Sequence, residues 1–281
     1  MSLADHVATV LGAEVRATAD LGVSHAWTMH RITMADGRAL FAKVSAEPTA
    51  VFAAEAAGLR WLGRSDLVPE VLAADDRMIV LPWLAAIDPT PAAAERFGRE
   101  LAALHAHSPD EFGAPWPGWI AELPLDNARS TGPWPRWYAE HRLAPYLPRA
   151  AAGLGRDGIA LLEQVIERID TLAGPPEPPA RIHGDLWSGN IRWTAERAML
   201  IDPAAHGGHR ETDLAMLALF GAPHLDRIRA AYNEIHPLAD GWRARIPLHQ
   251  LHHLLVHVVL YGASYRAQTM AAAAAAINAT R

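Results

Sequence analysis

Cysteine is absent from the 281 residues. That excludes disulfide scaffolds, thiolate metal centres and cysteine nucleophiles together. Lysine is nearly absent: of 25 basic residues only Lys43 is a lysine, and the rest are arginine. Compositional drift toward arginine accounts for most positions but does not say why Lys43 stays. Guanidinium is a broad planar fork, whereas ammonium is a compact charge on a thin stem, so a narrow site needing a point charge resists the exchange. Excess positive charge is also missing. A net charge of −6 argues against coating of nucleic acid, and no nucleic-acid partner is expected. A local cationic pocket for a small anion is compatible with that balance.

An uninterrupted apolar run is lacking too. The longest uncharged stretch, residues 248–265, is broken by His249, His252, His253 and His257. It reads as a buried helix rather than a membrane span, and no membrane partner is expected. Residues 1–14 lack the basic start and sustained apolar core of a secretory signal, so a cytoplasmic location is expected. What the chain does have is apolar content, 51% hydrophobic against 20% charged. That suffices for a real core, at a length suited to one large or two smaller domains.

Residues 27–33 and 39–44 read as strands joined through Ala35-Asp36-Gly37-Arg38, where Asp-Gly supplies hairpin geometry. Pro48 opens a helical segment at 49–63, with Val51, Phe52, Leu59 and Leu62 at near-helical spacing. Short strand-like runs follow around 70–73 and 77–81, and Pro82-Trp83-Leu84 reads as a crossover. The expectation is an α+β chain of two lobes: a small β-rich N-lobe with one helix, residues 1–84, and a larger, mainly helical C-lobe, residues 85–281. Within the C-lobe, 91–107, 137–146 and 159–172 are expected helices. From Glu211 onward helix dominates, with the alanine run 271–276 expected to fray. Residues 113–135, with Trp116, Trp119 and Trp134 set among prolines, read as an ordered loop, and the Pro-rich 174–179 as a stiff connector.

The chemistry concentrates in His183-Gly184-Asp185-Leu186-Trp187-Ser188-Gly189-Asn190, where Asn follows the Asp by five residues. Twelve residues further on, Ile201-Asp202-Pro203 ends an apolar run in a carboxylate. This is the spacing of the catalytic loop and metal-binding aspartate in kinase-like phosphotransferases. One carboxylate, Asp185, must reach the acceptor hydroxyl's proton. An amide oxygen, Asn190, and a second carboxylate, Asp202, hold Mg²⁺ against the phosphates of ATP, since Mg²⁺ takes hard oxygens and keeps several waters. Lys43 ends a predicted strand and Glu55 lies in the following helix, which is the phosphate clamp of such sites. Taken singly, Glu55 is an ordinary solvated helix carboxylate, Asp202-Pro203 a strand-ending turn and Asn190 a turn cap. Jointly, in this order and on these elements, they point to phosphoryl transfer. Glycine is scarce where phosphates would be covered: Leu21-Gly22-Val23-Ser24-His25-Ala26-Trp27 carries one. Backbone amides and Ser24 are the candidates for that contact, against a plain hairpin turn.

At these residues the chain resembles the fructosamine kinase (ketosamine-3-kinase) family, within the wider protein-kinase-like group that includes aminoglycoside and choline kinases. The resemblance rests on the catalytic segment above, on Ile201-Asp202-Pro203-Ala204, and on Gly208-His209-Arg210-Glu211-Thr212-Asp213-Leu214-Ala215-Met216. It extends to Phe41-Ala42-Lys43-Val44, Glu55-Ala56-Ala57, 97–105 and Pro124-Leu125-Asp126-Asn127. It implies a two-lobed protein-kinase-like fold and ATP-dependent phosphorylation of a sugar hydroxyl on a ketosamine. By position, Asp185 is the implied base, Asn190 and Asp202 the Mg²⁺ ligands, Lys43 the clamp with Glu55 as its partner. Asp213 is the implied buried brace of the catalytic loop, which His183 opens.

The acceptor is less determined. Trp187, two residues past the base, is positioned to stack on a sugar's C–H face or to pack the loop. Asp126 or Asn127 are candidates to accept hydrogen bonds from the substrate, and His206, with His209, flanks Gly207-Gly208 near the expected mouth. Rival readings are an aminoglycoside- or choline-type phosphotransferase and a catalytically silent nucleotide-binding regulator. His249, His253 and His257 recur at helical spacing. The further ligands and supporting shell of a zinc site are not displayed, so half-buried or surface histidines are expected there.

Overall fold

The computed structural model describes residues 2–24, 26–63 and 66–279. The chain opens with helix α1 (Leu3–Leu11), started by a capping box in which Ser2 and Asp5 satisfy each other's backbone N–H groups. Strands β1 (Val15–Ser24), β2 (Trp27–Met34) and β3 (Ala39–Ser45) follow as antiparallel neighbours. After helix α2 (Val51–Leu62) come β4 (Ala73–Ala74) and β5 (Met78–Pro82), giving one five-stranded sheet in the order β1-β2-β3-β5-β4.

The period-two alternation of strands gives this sheet two apolar faces. Leu40 and Ala42 of β3 join Ile32, Met34, Met78 and Val80 on the face covered by Val7 of α1. Phe41 points the other way, with Ile79 and Leu81, into a cluster that contains Phe52 and Leu59 of α2 and also Phe97, Leu186, Leu200 and Leu214 from the second lobe. One continuous core therefore bridges the lobes, and Lys43 lies on its face of the sheet. Burial at this scale is the dominant favourable term that fixes one lobe on the other.

The second lobe begins with α3 (Pro91–Ala106), then β6 (Gly118–Ile120) and β7 (Leu123–Leu125), α4 (Trp134–Tyr138), α5 (Leu147–Glu167) and α6 (Ile169–Leu172). Short strands β8 (Ala180–Ile182), β9 (Ile191–Trp193), β10 (Ala198–Leu200) and β11 (His206–Gly208) pair as β8 with β11 and β9 with β10. Helices α7 (Glu211–Leu219), α8 (Leu225–Ile235), α9 (Trp242–Tyr261) and α10 (Arg266–Asn278) complete it. This is the α+β, sheet-then-helices architecture expected from the sequence.

Three details differ. Residues 113–135 hold a hairpin, β6–β7, rather than loop alone. The segment after α4 continues as a π-helical turn, Ala139–Leu143, and a 3-10 turn, Ala144–Tyr146, and α5 starts well before residue 159, with a break at Gly155. The alanine run lies inside α10, where Ala272, Ala273 and Ala276 are buried, because side chains this small allow close approach to α5 and α9. Among the described residues no helix is long and apolar enough to cross a membrane.

Candidate active site

Lys43 sits in the middle strand of the sheet, paired with Met29 of β2 on one side and Ile79 of β5 on the other. Its ammonium donates to Glu55 Oε2 at 2.8 Å and to Asp202 Oδ1. Glu55 reaches it because Phe52, Glu55, Ala56, Leu59 and Leu62 form the buried face of α2, so helical periodicity turns this carboxylate inward with the core residues. Asp202 follows β10, where Ile201 N donates to Asn190 O at 3.0 Å, and takes a positive φ of 54° that aspartate tolerates better than most residues. Burial pushes Glu55 up to about 7 despite the neighbouring ammonium. Burial opposes charge on Lys43, but the two carboxylates outweigh it and hold its pKa above the ordinary value. At Asp202, which is only partly buried, the Lys43 ammonium more than offsets the desolvation and keeps it a carboxylate.

The segment between β8 and β9 is held from behind. Fully buried Asp213, on α7, accepts from His183 N at 2.7 Å, Gly184 N at 2.9 Å and His105 Nε2 at 3.1 Å. His183 accepts from Asp185 N on Nδ1 and donates from Nε2 to Ile201 O at 2.9 Å, which ties this segment to the stretch leading to Asp202. Gly184 has φ +81°, and a Cβ there would meet Ala204 O at 2.3 Å, so only glycine fits. His253 Nε2 donates to the Gly184 carbonyl at 2.8 Å. Asn190 Nδ2 donates to Asp185 O at 2.8 Å and to Asp185 Oδ2 at 3.3 Å, which leaves the amide oxygen as an acceptor. Burial, reinforced by the charge of Asp202, pushes Asp185 up to about 7.

These groups share one interlobe cleft. Its polar part is lined by Lys43, Glu55, Asp185, Asn190 and Asp202, with Ser24 at the end of β1 and Trp187 beside the base. A second, apolar part meets it at Met29 and Asp202 and is walled by Phe41, Leu81, Pro82, Trp83 and Leu84. His25, next to Ser24, lies outside the described residues. Asp126, Asn127 and His206 do not line the cleft. Asp126 accepts from His141 Nδ1 at 2.7 Å on the surface, in an adjoining depression that shares Gly118 and Trp119 with the cleft. Asn127 is buried behind the hairpin, accepting from Arg142 Nη2 at 2.9 Å. His206 is buried in β11, donating from Nδ1 to Ala204 O at 2.8 Å with its ring beside Trp137. Their positions in sequence are near the cleft, but their side chains are spent on holding its walls.

Residues the sequence reading did not assign to the site take those places. Trp116, Gly118, Trp119, Ile120 and Ala121, from the β6–β7 hairpin and its approach, line the polar part. Trp116 meets Trp61 of α2 edge-on at 5.7 Å, which fixes the hairpin against the helix that carries Glu55. The available signal was the density of tryptophan in a proline-rich stretch of the second lobe. The apolar part was signalled only by Pro82-Trp83-Leu84, read as a mere crossover.

The model of the fructosamine kinase family matches residues 2–278. The chain belongs to the fructosamine kinase family. A probable ketoamine kinase of Thermus thermophilus is 33% identical over 234 residues, 82% of this chain and 84% of that protein. A solved structure from Thermobifida fusca, assigned as a fructosamine-3-kinase, is 54% identical with a TM-score of 0.96, covering 99% of each chain. An aminoglycoside phosphotransferase solved with ADP and hygromycin B has a TM-score of 0.67 at 16% identity, covering 99% of each chain, which shows a shared protein-kinase-like fold. The activity class of this fructosamine kinase family member is phosphotransfer to a sugar-type hydroxyl.

Among the described residues of this family member, His249, His253 and His257 of α9 do not share metal-ligand spacing with one another. His249 pairs with Thr212 at 3.0 Å, His253 holds Gly184, and His257 donates from Nδ1 to His253 O at 2.6 Å. His249 and His253 are fully buried rather than half-buried or at the surface, because α9 runs through the core of the lobe. Among the described residues His209, Glu211 and His249 do have metal-ligand spacing. There the Arg245 guanidinium already bonds both oxygens of Glu211, at 2.9 and 2.5 Å, and supplies the positive charge.

Proposed function

We propose that this protein transfers the γ-phosphoryl group of ATP to a sugar hydroxyl of a ketosamine, a fructosamine-type acceptor. The observation that carries the reading is the meeting of Lys43, Glu55 and Asp202 across the lobes in the same cleft as Asp185 and Asn190. In this reading residues 1–84 grip the nucleotide and residues 85–281 carry the base and the acceptor. Lys43 binds the α/β-phosphates, and Glu55 keeps its ammonium in place. Ser24 contributes to the phosphate cover. The apolar slot along Phe41, Leu81 and Trp83 suits the nucleotide's base.

Asp185 accepts the hydroxyl's proton as that oxygen attacks the γ-phosphorus and the bond to the β-phosphate oxygen breaks, releasing ADP. Its raised pKa puts it near the value a general base needs at neutral pH. Asn190 and Asp202 offer an amide and a carboxylate oxygen, a donor set that fits Mg²⁺, and these two residues would hold it. Bound there, Mg²⁺ supplies neutralisation of phosphate charge. Catalysis otherwise rests on positioning and preorganised charge.

Trp187 is 39% exposed beside Asp185, and its face suits the C–H surface of the sugar. Trp187→Leu is expected to raise the acceptor's KM much more than that of ATP; equal effects reject the stacking role. The decisive experiment is ADP release with ATP and a panel of ketosamines, aminoglycosides and choline. Turnover of the ketosamines supports the proposal, turnover of aminoglycosides or choline alone replaces it, and ATP binding without ADP release from any acceptor makes the protein a silent nucleotide-binding regulator.

A further inference from the structure

A strip of aromatic rings leaves the cleft over the surface of the second lobe. It begins at Trp187, whose ring meets Phe220, at the end of α7, edge-on with centroids 6.3 Å apart. Phe220 is 5.2 Å from His257 of α9, and His257 is 5.6 Å from Tyr261 and 4.7 Å from Tyr265. Among the described residues the exposed large apolar side chains include Trp187, Phe220 at 42% and Tyr261 at 50%, and these three share this one strip. At its inner end the indole lies over the loop backbone: a Cβ on Gly189 would come within 2.2 Å of the Trp187 ring, so a side chain there would push the ring aside. The flanking stretches 214–225 and 248–265 contain no Asp, Glu, Lys or Arg.

We propose that this strip is a subsite for the carrier of the acceptor, the apolar stem attached to the ketosamine nitrogen. The inference rests on the function proposed above. A ketosamine is a sugar joined to an amine, so a hydroxyl placed at Asp185 leaves the nitrogen a few bonds away, with its substituent directed out of the cleft. Trp187 lines the cavity that holds Asp185 and also starts the strip, which makes the strip continuous with the acceptor site. The nitrogen of such a secondary amine is cationic at neutral pH, and aromatic faces attract cations. Beyond the nitrogen, an uncharged aromatic surface favours a hydrocarbon or aryl stem over an acidic or basic one. An exposed apolar patch contiguous with a catalytic cleft is also the kind of surface that marks a ligand groove.

The test uses fructosamines with one sugar and three nitrogen substituents: methyl, hexyl and phenylbutyl. ADP release at saturating ATP is expected to show a KM about tenfold lower for phenylbutyl than for methyl, the scale of partly burying a few methylenes. Phe220→Ala and Tyr261→Ala are expected to abolish that ratio while leaving the KM for the methyl compound, the KM for ATP and kcat unchanged. An unchanged ratio in both variants, or an equal loss with all three compounds, overturns the proposal. So does a concentration-dependent change of sedimentation in Phe220→Ala with the ratio intact, which makes the strip a contact between copies of the chain. If no fructosamine is turned over, the proposed reaction fails, and calorimetric titration with the same compounds still reads the strip. Stem-dependent affinity lost in Phe220→Ala supports the subsite, and equal affinities overturn it.

Discussion

Lys43 and Asp202 stand 159 residues apart in the chain and form an ion pair across the lobes, with the lysine's other contact, Glu55, on the same ammonium. A compact charge is required because Nζ is enclosed between two carboxylates in a side chain 9% exposed. Lys43→Arg keeps the charge and widens the group into a planar fork that does not fit the same space. The variant is expected to fold, judged by circular dichroism, and to lose about 100-fold or more in kcat/KM for ATP, the scale of removing one preorganised charge contact. Turnover within threefold of the parent removes the special role of the solitary lysine.

Asp185 links the chemistry to stability. Its folded-state pKa is raised from 3.8 to about 7 by burial and by the Asp202 charge. The folded state therefore binds more protons than the unfolded one, and stability is lost as pH rises from about 4 to about 7. Two outcomes follow from the one shift. The kcat/KM of the wild type is expected to climb with pH through a midpoint of about 7. Asp185→Asn, neutral at every pH and still offering Asn190 an oxygen, is expected to lower turnover by about a thousandfold. The same change is expected to raise stability at about pH 8 by about 1–3 kcal/mol and to leave it unchanged near pH 4. Denaturant melts at the two pH values check the sign.

The polar heart of the site was legible because its spacing is local: Asp185 and Asn190 lie in one loop, and Lys43 and Glu55 on consecutive elements. Asp202 was legible because the apolar strand before it, Ala198–Leu200, announces its own end. The acceptor wall was not. Strands of three residues with a proline inside, such as Leu123–Leu125, carry no alternating pattern to read, so the β6–β7 hairpin was hidden. Asp126 and Asn127 are neighbours whose side chains part, one to the surface and one to Arg142, a choice made by packing rather than by residue type. The frayed end expected for the alanine run failed for a related reason. Propensity says nothing of the helices that cover Ala272, Ala273 and Ala276.

Asn127 tests whether the hairpin is held from below. It accepts from Arg142, which is 1% exposed, and its amide lies against Gly118, where a Cβ would meet Nδ2 at 2.5 Å. Asn127→Ala leaves a buried guanidinium N–H without its acceptor and a gap beneath the hairpin. A loss of about 1–3 kcal/mol in unfolding free energy is expected. With it should come a severalfold rise in the acceptor's KM, through displaced Trp116 and Trp119, and an unchanged KM for ATP. A direct substrate contact would instead raise the KM with the melting temperature unmoved, so thermal melts beside steady-state kinetics separate the two.

His253 supports the base's loop from outside it, beside Asp213. Burial pushes its pKa down to about 4, so it is neutral at working pH. Its Nε2 donates to the Gly184 carbonyl and itself lies 3.9 Å from Asp185 Oδ1. His253→Leu fills much of the space but withdraws that donor, leaving a buried carbonyl unpaired and the strained turn at Gly184 free to shift. A fall in kcat of about tenfold is expected, with the KM for ATP nearly constant and the pH midpoint of kcat/KM displaced, because misplacing a base acts on the chemical step. His253→Gln offers an amide N–H to the same carbonyl and should restore most of kcat and the original midpoint. If leucine and glutamine variants instead lose stability alike and keep the wild-type pH profile, His253 merely fills the core and has no hold on Asp185.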